Sequence, residues 1–167
     1  MNQSRFKIDE FQIDFMMLAD GAQAIGGKLY VLGGAWNRLH LPRLPSRPGK
    51  PFDLAVGIRV PWHLTNRQFV FGLGLVDADN NPVGDEDPIT IQMEAGRPPG
   101  LRQGTEQRLV FSLSASPEFP REGMYAFQAT IDDEPKATTA FEVVHLPGMP
   151  DPNPPASEAG AESPEAP

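Results

Sequence analysis

The sequence predicts an all-β protein, an antiparallel two-layer β-sandwich of about eight strands, immunoglobulin-like or C2-like in kind. Three observations carry that expectation. Phe69, Phe71, Leu73 and Leu75 fall on every second residue, with Gln68, Gly72 and Gly74 between them, the period of a strand with one buried face. The run stops at Asp77-Ala-Asp-Asn-Asn-Pro82, residues that tolerate or pre-set turn geometry, and so long an apolar face needs a second sheet to cover it. No stretch keeps an apolar stripe at helical period beyond one or two turns.

The elements follow in order. Residues 1 to 12 settle on no period and form a lead-in. Ile13 to Leu18 is apolar almost throughout, as a strand covered on both faces would be. Ala19 to Gly27 reads as a small-residue loop, and Lys28 to Trp36 as the next strand, with Gly33 and Gly34 marking a bulge or a close backbone approach. Four prolines between His40 and Pro51 exclude a central strand, so Pro42 to Pro51 is expected to cross from one sheet to the other. Leu54, Val56, Ile58 and Val60 alternate in the third strand, and Pro61 to Asn66 connects it to the fourth, which carries Phe69 to Leu75. Ile89, Ile91 and Met93 mark a fifth strand, and Leu109, Phe111 and Leu113 a sixth. Tyr125 to Ile131 and Thr139 to Val143 alternate on either side of Asp132-Asp-Glu-Pro135, a hairpin signal.

A length of 167 residues suits one domain, here residues 1–146. Residues 147–167 hold seven prolines and no aromatic residue, too little apolar surface to offset the entropy of ordering them, and are expected to form a disordered tail. There is no cysteine, which rules out disulfides and thiol chemistry and suits a reducing cytoplasm. The N-terminus lacks the apolar run of a secretory signal, and no segment reaches the ~20 apolar residues of a membrane helix. The net charge is -8, of which the tail carries -4. A mildly acidic body without a basic stripe argues against nucleic acid and against an anionic membrane as partners.

Candidate chemistry is sparse. Gly21 to Leu29 fails as a phosphate-binding loop, because Gly27 stands where its lysine belongs and a strand follows instead of a helix. Asp77, Asp79 and Asn81 match the first three spacings of a calcium-binding EF-hand loop, but Pro82 and Pro88 take its glycine and glutamate positions. A looser calcium site there, in a sandwich that binds calcium or a small ligand, is the alternative reading. The turn at Asp132 to Glu134 is expected at the opposite pole, unable to share that ion. His40, His63 and His145 show no metal spacing, and no nucleophile elbow accompanies Ser112, Ser114 or Ser116. A hydrolase with a loop-built site is therefore the lesser reading, and no cofactor motif is complete. Trp36 suits a core position. Trp62, if exposed, suits an interface anchor with His63, Asn66 and Arg67 on its polar rim.

Leu18-Ala-Asp-Gly-Ala-Gln-Ala-Ile-Gly-Gly-Lys-Leu-Tyr-Val-Leu-Gly-Gly-Ala-Trp36 resembles the leading motif of a family of small bacterial proteins known only as a domain of unknown function. The stretch Leu54 to Val83 and the final hairpin look like the rest of that pattern, over roughly residues 13 to 145. The resemblance implies a soluble, one-domain bacterial protein with no assigned activity or catalytic residues. Together these readings lead us to expect a non-enzymatic cytoplasmic module that binds a protein partner, a second copy of itself included.

Overall fold

Residues that alternate in polarity pair edge to edge, and two apolar faces then close on each other. The computed structural model describes residues 9–84 and 87–151. Among these, nine strands form: β1 (Gln12–Ile25), β2 (Lys28–Gly34), β3 (Arg38–Leu41), β4 (Phe52–Val60), β5 (Gln68–Asp77), β6 (Ile89–Glu94), β7 (Gln107–Ala115), β8 (Gly123–Ile131) and β9 (Glu134–His145). They build a four-stranded sheet in the order β2-β1-β4-β7 and a five-stranded sheet in the order β3-β9-β8-β5-β6. The helical content among the described residues is one 3-10 turn, Trp62–Leu64, so none of their helices is long and apolar enough to cross a membrane.

The β-sandwich expectation holds, and Phe69, Phe71 and Leu73 lie in its centre, all but fully buried. From β4 the face of Phe52, Leu54, Val56, Ile58 and Val60 meets them, and Tyr125, Phe127, Ala129 and Ile131 of β8 complete the layer. Phe141 of β9 is the hub: its ring lies 5.8 to 6.4 Å from those of Trp36, Phe52, Phe119, Tyr125 and Phe127. Such pairs add to area burial because ring edges carry positive charge and ring faces negative. Trp36 is half-buried with its edge towards Phe52, matching the core role expected of it. Tyr125 donates its hydroxyl to the carbonyl of Arg121 at 2.7 Å, a clasp like the tyrosine corner of other sandwiches.

Four sequence expectations need correction. The supposed loop Ala19 to Gly27 is mostly strand: β1 runs to Ile25, and Gly26-Gly27 alone turns the chain. Both glycines have positive φ, 58° and 73°, the geometry of a two-residue hairpin turn. Small residues made this stretch look like coil, but pairing with Leu29 to Leu32 holds it extended. The following strand ends at Gly34 rather than Trp36, since Ala35 takes φ 64° and donates its N–H to Leu18. A ninth strand, β3, fits into the four residues before Pro42. It also breaks the antiparallel rule by pairing in parallel with β9, Arg38 against Glu142 to Leu41 against His145.

Pro42 to Pro51 does cross between sheets, joining β3 to β4. The chain continues in contact past the expected boundary at Leu146: Met149 donates to the Leu146 carbonyl, and the Asp151 carboxylate meets Arg43 at 2.9 Å. The rest of the expected tail, residues 152 to 167, and residues 1 to 8 lie outside the described residues.

Candidate interaction surface

β1 is twice as long as its partner β2, and its two halves do different work. From Gln12 to Ala19 it pairs with β4. From Ala19 to Ile25 it pairs with β2, forming a hairpin arm that runs on beyond the start of β4. Asp53 and Ser112 point away from the core, since their neighbours Phe52, Leu54, Phe111 and Leu113 point into it. The Asp53 carboxylate accepts the N–H of Ala22 at 2.7 Å, and Ser112 donates its hydroxyl to the carbonyl of Ala22 at 3.0 Å. The arm is thus held against the outer face of the four-stranded sheet by both backbone groups of one residue. Nearby on that face, the Phe15 ring lies where a Cβ on Gly57 would be, so glycine lets the ring settle on the sheet.

With its backbone held, the arm presents apolar side chains outward. Leu32 is 75% exposed, Tyr30 57%, Ile25 54% and Val31 40%. Three of these share β2, with Ile25 at the end of β1, although β-branched and aromatic residues are favoured in strands for the surface they bury. Sequence reasoning missed these residues. The signal was present: Gly-Gly between Ala-Gln-Ala-Ile25 and Lys28-Leu-Tyr-Val is a two-residue hairpin signal, and a hairpin this short cannot bury both of its faces.

The residues expected to form an interface lie elsewhere. Trp62 is half-buried on the 3-10 turn and carries the Arg97 guanidinium 4.0 Å from its ring centre. Arg97 also donates to the Trp62 carbonyl at 3.0 Å and to Thr65 Oγ1 at 2.9 Å, so one ring face is covered from within. His63 is exposed on the same turn, whereas Arg67 reaches towards Asp132 at 3.9 Å.

At the other pole, Asp77 ends β5. One of its carboxylate oxygens accepts the N–H groups of Asp79 at 2.9 Å and Asn81 at 3.0 Å, and the other meets Arg121 at 3.2 Å. These donors, the Asn81 N–H first, hold the Asp77 carboxyl below the usual carboxylate range against the opposing pull of burial. The carboxylate acts as the acceptor that shapes its own turn. Asp79 and Asn81 are exposed beside it, and Asp85 and Glu86, further along the acidic run, lie outside the described residues. Asp77 pairs with Tyr125 while Phe71 pairs with Ile131, so the two acidic turns do fall at opposite ends of the β5–β8 pair. Two shallow concavities of about 220 and 290 Å³ flank Asp77 and Tyr125, one reaching Gln128 and the other Arg121. Among the described residues, no group of three or more His, Asp or Glu side chains could hold a metal ion.

The histidines are dispersed. His40 lies on β3, His63 on the turn before β5 and His145 at the end of β9. Ser112 is engaged by Ala22, as described above.

No curated protein matches the chain. Among solved structures, it is similar to the CARDB domain of the PF1109 protein of Pyrococcus furiosus, solved in complex with di-metal ions. That match has 11% identity and a TM-score of 0.37 over 84% of this chain and 97% of that one. The sequence resemblance is decided by the family model itself. Residues 14–144 match the family of unknown function DUF6941, and the chain belongs to that family.

Proposed function

We propose that this protein is a non-catalytic β-sandwich module that binds another protein through the β1–β2 arm. One observation carries the reading: Tyr30, Val31 and Leu32 stand exposed on an edge strand, while the sandwich behind them has a complete aromatic core. Exposed apolar side chains grouped on one element mark an interaction site more often than scattered ones do. The cysteine-free core is compatible with work in the reducing cytoplasm. The test is affinity capture from native lysate with the wild type, with Leu32→Asp and with a chain ending at Asp151. The expected result is a stoichiometric protein held by the wild type and the shortened chain and lost from Leu32→Asp. A partner that Leu32→Asp retains, or one lost with the tail, overturns the assignment to the arm.

A further inference from the structure

Ala22 fixes the direction of the backbone groups on β2 from Lys28 to Leu32, where the strand is regular. Its N–H and C=O go to Asp53 and Ser112, on the side away from β2. In an antiparallel ladder, residues alternate between pairs that exchange two hydrogen bonds and pairs that exchange none. Ala22 and Val31 are partners in register, so theirs is a pair that exchanges none. Val31 therefore turns its N–H and C=O to the open edge, and Leu29, two residues before it, does the same, whereas Gly33 at φ 57° leaves the extended pleat and ends the alternation.

We infer that this edge pairs antiparallel with β2 of a second copy, centred on Val31; the inference rests on the interaction reading above and names its partner. Pairing of a strand with its own copy is two-fold by construction. With Val31 on the axis, all of Lys28–Gly34 is used. Val31 meets Val31, groups already turned outward that exchange two hydrogen bonds across the axis, and the outward groups of Leu29 in each copy face the Gly33 turn of the other. Tyr30 falls opposite Leu32 of the partner in the closer, non-hydrogen-bonded spacing, an aromatic–aliphatic contact repeated on both sides of the axis.

Charge agrees with this register. Lys28 is the only charged residue of β2 and comes opposite Gly34, so the two lysines sit at opposite ends of the new ladder. The other edges are guarded. β3 has four residues, two of them Arg38 and His40, and β6 follows Pro88 and carries Gln92 and Glu94, with one exposed apolar residue, Ile89, at its start. On β7 the exposed residues are Arg108 and Ser114, both polar. A specific interface buries at least about 600 Å² per partner, and the exposed Tyr30, Val31 and Leu32 with the free backbone edge form the apolar centre of one here. A dimer that forms with rising concentration follows, in which one eight-stranded sheet runs through both copies.

The test exploits the absence of cysteine. A hydrogen-bonded antiparallel pair sets its Cα atoms about 5.5 Å apart, within the span of a disulfide. The full chain bearing Val31→Cys should cross-link to a covalent dimer under mild oxidation. Met124→Cys, more open at 49% exposure against 40% for Val31 but on the other sheet, should stay monomeric. In light scattering, the wild type should pass from monomer to dimer by high micromolar concentration, and Leu32→Lys should lose the dimer. A wild type that stays monomeric, or cross-linking of Val31→Cys no greater than that of Met124→Cys, overturns self-pairing. If Leu32→Asp still loses a different lysate protein, the arm pairs with that chain and the module reading stands alone; if it does not, both readings fall.

Discussion

Phe141 and Leu32 are both large apolar residues, and they should respond oppositely to truncation. Phe141 is fully buried among five rings, so Phe141→Ala removes transfer energy and leaves a cavity, at a cost of about 3–5 kcal/mol. Leu32→Ala, at 75% exposure, should stay within about 0.5 kcal/mol of wild type. Urea denaturation of the two variants checks the contrast, and a large loss in Leu32→Ala would show that the arm is packed more tightly than its exposure implies. Asp77 makes a different kind of prediction. Its carboxyl is held below the ordinary 3.8, so its contribution to stability is present above that value and is lost as pH falls through its lower, folded value. The unfolding midpoint of Asp77→Asn should accordingly be lower than wild type near neutrality and approach it at strongly acid pH. A gap that stays constant with pH would place the effect in the turn's shape rather than in its charge. Buried alternation was readable at single residues, because polarity and period fix which side chains turn inward. Whether Trp62 stood open was not, since the residue that covers it, Arg97, lies 35 positions away along the chain.

Two strands each carry one residue more than their partners, and in both the extra residue is charged. In β1 the register shifts between Ile13 and Phe15, which leaves Asp14 outside the ladder. Its carboxylate meets Arg108 and, at 3.6 Å, Arg59, which is itself held by Glu106 at 2.7 Å. In β9 the shift beside Ala129 and Thr130 leaves Lys136 over, bridging Glu10 at 2.8 Å and Glu134 at 3.1 Å. A bulge re-aims the side chain it releases, and here each one delivers a charge to a partner the regular pleat would not reach. Hydrogen bonding to Glu10, more than any other contact, raises the Lys136 ammonium above its usual 10.5. The stability it lends is therefore whole below that pH and is lost as pH rises through the folded value. Lys136→Met should fall below wild type at neutral pH, with the gap narrowing in alkaline melts. These bulges were not legible in the sequence, and the arm was legible only at its Gly26-Gly27 turn. Alternation reads through a single extra residue without marking it, and Gly21, Ala22 and Ala24 carry too little side chain to show a period at all. The final hairpin was legible because turn residues and alternation agree there, Ile131 pairing with Glu134 across Asp132-Asp133.

At the scale of the molecule, the chain changes sheet five times among the described residues, after β2, β3, β4, β6 and β7, and this interleaving gives one core in place of two separate layers. A two-layer sandwich could be inferred from composition and period, because any half-apolar sheet must find a cover. The strand order could not, since nothing local in Arg38-Leu-His-Leu41 names β9 as its neighbour. That pairing carries a consequence for how the protein is made. β3 lies at a sheet edge with β9 as its one strand neighbour, and 104 residues separate Arg38 from its partner Glu142. At synthesis rates of about 5–20 residues per second, β3 emerges roughly 5 to 20 seconds before the strand that will hold it. During that interval it is a bare edge, which the ribosome-bound chain must carry without sticking to its neighbours. Its brevity and its Arg38 and His40 suit a strand that has to wait.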